Sequence, residues 1–247
     1  MIQSIGASAP PARREKVYEG KAKILYATSD PDLLLQFFKD DATAFDGTKR
    51  ATLEGKGGLN NRISAHLFAH LERAGVPTHF VALVGPQEML VRRLHMIPLE
   101  VVVRNVIAGG LAKRMGLPEG AGLPFPLVEY YYKRDDLHDP LLTAGHVRAF
   151  ALATDDEMAS MEATALRVNA LLSEIFAGVR LTLVDFKVEF GRAGIRLLLA
   201  DEISPDGCRL WEQGTGERMD KDRFRRDLGR VVEAYEEVAA RLLELSP

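Results

Sequence analysis

Asp185, Lys187 and Glu189 occupy every second position of LVDFKVEFG, Leu183 to Gly191. In a β-strand alternate side chains share a face, so these three charges would stand together, with Val184, Phe186, Val188 and Phe190 opposite. Beyond a turn near Ala193-Gly194 the chain returns through the apolar run Ile195 to Ala200. It then meets Asp201-Glu202, a Ser-Pro-Asp-Gly turn, Arg209 and the single tryptophan, Trp211. Carboxylates and cations at the edge of an otherwise apolar hairpin mark a candidate site. The plain alternative is a half-exposed hairpin whose charges face water.

Three further stretches offer anion chemistry. KVYEGKAKILY, Lys16 to Tyr26, reads as two short strands joined around Gly20, with Lys21 and Lys23 on one face. Backbone N–H groups and paired ammonium ions in such a turn can sit over phosphate oxygens; an ordinary exposed hairpin has the same pattern. LEVVVRNVI places Glu100 and Arg104 in a valine-rich run that reads as a buried strand, and a buried arginine needs an anionic partner or ligand. Ala108-Gly109-Gly110 then precedes a short helix, LAKRMG, where free N–H groups suit phosphate. His66 and His70 lie one helical turn apart, but HLFAH lacks the glutamate of HExxH and no third ligand is evident, so packing or surface roles are expected.

The elements that must carry these residues follow from periodicity. Leu33 to Phe38 reads as a strand and KDDATAFDGTKR as a polar loop. A helix opens at Gly55 to Gly58, with Leu59, Ile63, Leu67 and Leu71 on one stripe, and ends at Gly75. HFVALVG and EMLVRRL read as strands. Pro126 to Leu142 holds another strand with Glu129 and Lys133, then an acidic turn ending at Asp139-Pro140. Thr154 to Glu157 has the capping-box pattern and starts a long amphipathic helix reaching Phe176. A last helix is expected from Lys221 to Leu245, with Phe224, Leu228, Val231, Tyr235, Val238 and Leu242 inward.

The order, mostly strands first and then strands mixed with helices, argues for an α+β fold. A boundary near Met96-Ile97-Pro98 divides the chain into an N-terminal sheet lobe, 1–96, and a larger mixed lobe, 97–247, with a nucleotide in the cleft between them. The 247 residues can bury a proper core; 47% are hydrophobic, 27% are charged, and the net charge is -3. That charge gives no global pull toward nucleic acid or anionic membrane. One cysteine, Cys208, leaves no intrachain disulfide and fits a reducing cytoplasm. The first 16 residues lack the apolar stretch of a signal peptide and read as a loose leader. No apolar run is long enough to span a bilayer.

Read together, YEGKAKILY, DDATAFDG (Asp40 to Gly47), EVVVRN (Glu100 to Asn105), EYYYKRDDLHDPL (Glu129 to Leu141), LVDFKVEFG, DEISPDGCRLWE (Asp201 to Glu212) and MDKDRFRRDLG (Met219 to Gly229) resemble the phosphoribosylaminoimidazole-succinocarboxamide synthase, or SAICAR synthetase, family. The resemblance covers nearly the whole chain apart from the leader. It implies a two-lobe SAICAR-synthase-like fold and joining of carboxyaminoimidazole ribonucleotide to L-aspartate, with ATP consumed to ADP and phosphate. It also implies Mg²⁺, an acyl phosphate intermediate, a homodimer and a place in purine biosynthesis in the cytoplasm.

Carried over by the same resemblance, Lys21, Ala22 and Lys23 would line the ATP phosphates. Arg92 to Met96 would pass beside adenine, and Lys133 would reach the nucleotide. Glu189 and Asp201 would hold the metal. Lys187 would lie near the transferring phosphate or the substrate carboxylate, and Asp185 near the imidazole amine. Arg104, Arg209 and Arg225 would bind substrate anions, with Asp46 and Asp139 as further polar contacts. Gly110 stands where the family usually has serine, so backbone N–H groups would hold the ribonucleotide phosphate there. Glu212 replaces the family's more usual aspartate.

Two rivals share parts of the pattern. A small-molecule kinase would use the lysines and metal carboxylates without needing so many arginines. A regulatory nucleotide-binding module would leave Lys187 unexplained. If the turn were a two-residue loop at Ala193-Gly194, Asp201 would pair nearer Phe186 than Glu189, so a shared metal calls for a wider loop, bulge or bend near Gly191 to Gly194.

Overall fold

Alternating apolar residues produce two large antiparallel sheets beside a two-stranded one, and helices cover the apolar faces of the large pair. The computed structural model describes residues 11–45 and 47–245, so Asp46 and most of the expected leader lie outside the described residues. In chain order the first half holds β1 (Lys16–Glu19), β2 (Lys23–Ala27), β3 (Leu33–Phe38), β4 (Asp41–Ala44), β5 (Lys49–Thr52), α1 (Lys56–Arg73), β6 (Phe80–Gly85) and β7 (Glu88–Arg92). The second half holds β8 (His95–Val106), α2 (Gly109–Met115), β9 (Gly122–Tyr132), a 3-10 turn (Asp135–Leu137), β10 (Leu141–Leu142), α3 (Ala144–Ala149) and α4 (Asp155–Gly178). It finishes with β11 (Leu181–Ala193), β12 (Arg196–Ala200), β13 (Cys208–Glu212), α5 (Asp222–Arg225) and α6 (Val231–Glu244).

The first sheet runs β1-β2-β3-β7-β6 and the second β10-β9-β8-β11-β12, with β13 also paired to β11. A parallel bridge between Thr78 and Leu199 stitches one sheet to the other, through His79 N–H to Leu199 C=O at 2.8 Å and Leu199 N–H to Pro77 C=O at 3.0 Å. Helix α1 packs on β3, β6 and β7 and against α6, while α4 covers β8, β9 and β11. Leu59, Ile63, Leu67 and Leu71 are all buried, as their spacing requires, and Gly75 closes the helix at φ 81°. The apolar core continues through both regions, from Leu34 and Phe38 to Val188 and Leu242. This is the mixed, two-lobe, antiparallel-sheet architecture expected from the order of elements.

Three local expectations change. KDDATAFDGTKR is not simply a loop: β4 and β5 pair from Asp41↔Thr52 to Ala44↔Lys49. The last helix is broken, because Asp227, Gly229 and Arg230 adopt positive φ between α5 and α6, and Leu228 is left exposed. Val184 leaves the face it was expected to share with Phe186. The β11–β13 pairing is irregular between Leu183 and Asp185, and an extra residue there shifts the alternation. Leu181 and Leu183 join the main core together with Phe186, Val188 and Phe190, whereas Val184 packs with Ala108 and Trp211.

The β11–β12 ladder meets the pairing problem by a shift of the turn instead of the wider loop, bulge or bend expected near Gly191 to Gly194, and the irregularity between Glu189 and Gly191 lies in the pairing with β8. Ala193 pairs with Arg196, so the two-residue turn is Gly194-Ile195, one position later than read from sequence, and Gly194 takes φ 61°. Regular pairing then puts Glu189 opposite Ala200, next to Asp201. Asp201 has φ 72°, which ends the strand's alternation and lets its carboxylate turn toward that of Glu189.

Helix α4 begins with a complete capping box: Thr154 Oγ1 accepts from Glu157 N–H at 3.2 Å and Thr154 N–H donates to Glu157 Oε2 at 2.9 Å. Because α4 covers the sheet that carries Asp185 to Glu189, its start bears on overall stability. Thr154→Ala is expected to cost about 1 kcal/mol, read by denaturant unfolding. It should lower Tm by about 2–4 °C.

Candidate active site

The polar face of the second sheet is assembled by register. Arg104 of β8 lies opposite Asp185 of β11, Val102 opposite Lys187 and Glu100 opposite Glu189. On the other side of β8, Val102 meets Glu129 and Glu100 meets Tyr131 of β9. Alternation therefore brings carboxylates, an ammonium and a guanidinium from three strands to one surface, while Val101, Val103, Phe186 and Val188 enter the core.

Lys187 sits at the centre. Its ammonium donates to Glu189 Oε1 and Asp201 Oδ2, both at 2.8 Å, and lies 3.3 Å from Glu100. Lys133 holds the other oxygen of Glu189, and Lys23 the other oxygen of Asp201. Burial works against the charge on Lys187, yet Asp201, Glu189 and Glu100 outweigh it and hold the ammonium well above its ordinary range. Burial likewise opposes the charge on Asp201, but Lys187, Lys23 and Lys133 keep that carboxyl well below its ordinary range. Gln36 Nε2 donates to the Asp201 carbonyl at 3.3 Å, fixing the turned backbone.

Two cavities meet at this cluster. One is a mainly apolar cleft of about 560 Å³ at the junction of the sheets, walled by Leu25, Leu34, Val91, Leu94, Met96 and Ile97. Lys23, Lys133, Glu189 and Asp201 stand at its polar end, and Arg92 also lines it. Gly191 permits the close approach of Leu94, since a Cβ there would lie 2.7 Å from Leu94 Cβ. The second cavity, about 480 Å³, is strongly charged; Arg104, Gly110, Asp185, Lys187, Arg209 and Arg225 line it. Lys187 touches the carboxylates of the first cavity while lining the second.

The arginines are held by acids. Buried Arg104 donates to Glu129 Oε2 at 2.6 Å, Asp185 Oδ2 at 2.8 Å and Tyr131 OH at 3.1 Å. Arg209 donates to Asp185 Oδ2 at 2.8 Å and Asp222 Oδ2 at 3.0 Å, and Arg225 to Asp222 Oδ1 at 2.7 Å. These contacts fix the forks without saturating them, since a guanidinium has five N–H donors. Gly109, at φ 52°, lies against Arg209, whose Nη2 would be 2.5 Å from an added Cβ. A Cβ on Gly110 would meet only Arg114 Nη1, at 3.5 Å.

Not every expected residue joins the cluster. Lys21 lies in the β1–β2 turn, pairs with Asp135 at 2.7 Å and lines the charged cavity rather than the apolar cleft that Lys23 lines. Ala22 lines neither of the two, and its carbonyl accepts from Lys39 N–H at 2.8 Å. Asp139 also lines neither, and it accepts from Arg134 N–H at 2.9 Å. Glu212 pairs with Arg241 of α6 at 2.7 Å. His66 is buried in α1, and burial lowers its pKa. Among the described residues no three His, Cys, Asp or Glu side chains converge on a metal position, and no helix is long and apolar enough to cross a membrane.

Glu100, Glu129, Tyr131, Arg114 and Asp222 were not among the expected site residues. The even spacing of Glu100 and Arg104, and of Glu129 and Tyr131, was available in the sequence. What it lacked was the register that places both pairs beside Asp185 and Lys187.

Comparison with known proteins agrees with this architecture over nearly the whole chain. The family model described as SAICAR synthetase matches residues 16–242. A phosphoribosylaminoimidazole-succinocarboxamide synthase from Parvibaculum lavamentivorans is 57% identical over 235 residues, 94% of this chain and 93% of that protein. One from Hyphomonas neptunium is 58% identical over 236 residues, 93% of this chain and 91% of that protein. Among solved structures, the synthase from Ehrlichia chaffeensis superposes with a TM-score of 0.92 at 46% identity, covering 94% of this chain and 100% of that one. A SAICAR synthetase (Type-2) in complex with ADP gives 0.90 at 49% identity, covering 94% and 99%. The chain belongs to the SAICAR synthetase family and is an enzyme of that type.

Proposed function

We propose that the reaction of this family, ATP-dependent ligation of L-aspartate to carboxyaminoimidazole ribonucleotide in purine biosynthesis, runs here through an acyl phosphate formed beside Lys187. The observation that carries this reading is the position of Lys187, which lines the charged cavity while bonded to two carboxylates of the apolar cleft. The cleft takes ATP, with its base against Leu25, Val91, Met96 and Ile97 and beside Arg92. Its phosphates lie toward Lys23 and Lys133. Lys21, from the turn, reaches the transferring phosphate from the charged side. The ribonucleotide and aspartate occupy the charged cavity.

A carboxylate is a poor electrophile. Transfer of the terminal phosphoryl group to an oxygen of the ribonucleotide carboxylate releases ADP and gives an acyl phosphate. The aspartate amine attacks the acyl carbon, phosphate leaves with its bonding pair, and the amine loses a proton. The products are the succinocarboxamide ribonucleotide, ADP and phosphate. Catalysis of the first step rests on aligned partners and neutralised oxygen charge, which Lys187 supplies from a fixed position. Arg104, Arg209 and Arg225 bind the anionic groups of the substrates, and Asp185 holds Arg104 and Arg209 while accepting from the imidazole amine.

Mg²⁺ fits this donor set. Glu189 and Asp201 offer hard oxygens on opposite contacts of one ammonium, and magnesium is commonly held by one or two carboxylates together with substrate phosphates. When bound, it neutralises phosphate charge. Lys133 pairs with Glu189 and Lys23 with Asp201, and each carboxylate would exchange a lysine contact for a metal one. The two lobes are taken as 1–96 and 97–247, and the enzyme as a cytoplasmic homodimer; sedimentation of the purified protein tests the assembly.

Turnover of purified protein with ATP, magnesium, ribonucleotide and L-aspartate, omitting one component at a time, tests the reaction. ADP release that continues beyond one turnover per site without L-aspartate, with a phosphorylated product in place of free phosphate, would favour a kinase. Lys187→Met should abolish turnover and leave ATP binding by calorimetry within about threefold; turnover equal to the parent would remove the role assigned to Lys187. Gly110→Ser should remain active and lower the KM for the ribonucleotide, since the site has room for the side chain. A raised KM would mean that this turn is arranged differently around the phosphate.

A further inference from the structure

We propose that Lys221, which borders α5, is a further anion-binding residue of the charged cavity and that a substrate anion supplies the partner its ammonium lacks. The inference rests on the assignment of that cavity to the ribonucleotide and aspartate. Lys221 is half-buried and lines the cavity beside Arg209, Arg225 and Asp206. Its ammonium has no hydrogen bond or ion pair among the described residues.

The acid that acts on it most strongly, Asp206, is already committed. Asp206 Oδ2 accepts from Lys56 Nζ at 2.6 Å and from Asn60 Nδ2 at 2.9 Å, and Oδ1 accepts from Tyr235 OH at 2.8 Å. Lys56 shows the contrast: it is almost wholly buried, and its charge is matched by Asp206. On the same segment Asp222 is taken by Arg209 and Arg225, and Asp220 accepts from the N–H groups of Leu210 and Asp222. Burial lowers the pKa of Lys221; Asp206 and, more weakly, Glu202 oppose that shift, while Arg225 and Lys56 add to it. A cation withdrawn from water without an acid of its own is costly, and an incoming anion relieves that cost.

The anion is a phosphate monoester or a carboxylate, both of which the two substrates carry. An ammonium with three donors on a flexible stem can satisfy either, and Arg209 and Arg225 line the same cavity to share the charge. Placement next to α5 also accounts for a lysine adjoining Asp222: one residue faces the ligand while the next orients two arginines.

The test is Lys221→Met in the full-length enzyme, with Lys221→Arg as the conservative control. Without ligand, Lys221→Met should melt at the parent temperature or above it, because a poorly compensated charge is removed. The KM of either the ribonucleotide or L-aspartate should rise about tenfold or more, as for a lost charge-assisted hydrogen bond. The KM for ATP should stay within about twofold, and Lys221→Arg should recover most of the loss. A rise confined to the ribonucleotide identifies phosphate as the partner; one confined to L-aspartate identifies a carboxylate. A lower unliganded Tm with all three KM values moving together would make Lys221 a framework residue and overturn the proposal, as would three unchanged KM values. Thermal shifts with the ribonucleotide and with L-aspartate separate this from the assigned reaction, since they need no turnover. Loss of either shift in Lys221→Met supports the proposal even if the parent fails to ligate, and shifts equal to the parent's overturn it.

Discussion

The ammonium of Lys187 bridging Glu189 and Asp201 is the contact on which the arrangement depends. Two ionised carboxylates this close repel each other and resist burial unless cations compensate. Lys187 lies between them, while Lys23 arrives from β2 of the first sheet and Lys133 from the segment after β9 of the second. The first sheet is therefore tied to the second through charge as well as through the Thr78–Leu199 bridge. Replacement of Lys187 leaves Lys23 on Asp201 and Lys133 on Glu189, so each carboxylate keeps one cation.

On the charged side the same logic uses arginine. Asp185 holds two guanidinium groups and Asp222 three, those of Arg209, Arg225 and, at 3.7 Å, Arg226, and Asp185 links Arg104 of β8 to Arg209 of β13. Such sharing fixes direction and leaves donors over for a ligand. Glu119 extends the scaffold: it accepts from Gly109 N–H at 2.8 Å and pairs with Arg226 at 2.6 Å, which connects the glycine turn to the residues following α5. The cavity-lining arginines thus rest on elements far apart in sequence, and their separation is set by buried acids.

Much of this was legible beforehand because the stretches that carry the charges alternate regularly and the motifs are local. Asp185, Lys187 and Glu189 share the expected face, Arg104 meets the acids that its burial demanded, and the capping box at Thr154 forms as its residues require. What stayed hidden depended on long-range pairing. Glu129 and Tyr131 acquire meaning only when β9 comes to lie beside β8. A one-position shift of the turn to Gly194-Ile195 decided which residue Asp201 adjoins, and a single residue with φ 72° decided where its carboxylate points. The helix break after α5 lay in Asp227 to Arg230, where one glycine offered the only hint. Local propensity does not reveal that Asp227 and Arg230 also adopt the left-handed conformation.

The irregularity beside Val184 has a consequence for how β11 bears substitution. Before it, odd-numbered residues enter the main core; after it, even-numbered residues do. The strand thereby changes phase partway along. Its first part packs Leu181 and Leu183 inward and offers Val184 to Trp211 and Ala108, and its second part presents Asp185, Lys187 and Glu189 to one surface. Removing one residue near Val184 would restore a uniform alternation and turn either the hydrophobic half or the charged half the wrong way round. Parity along this strand is thus a conserved quantity of the architecture only on each side of the bulge, and the bulge is what lets one strand close a core and open a site.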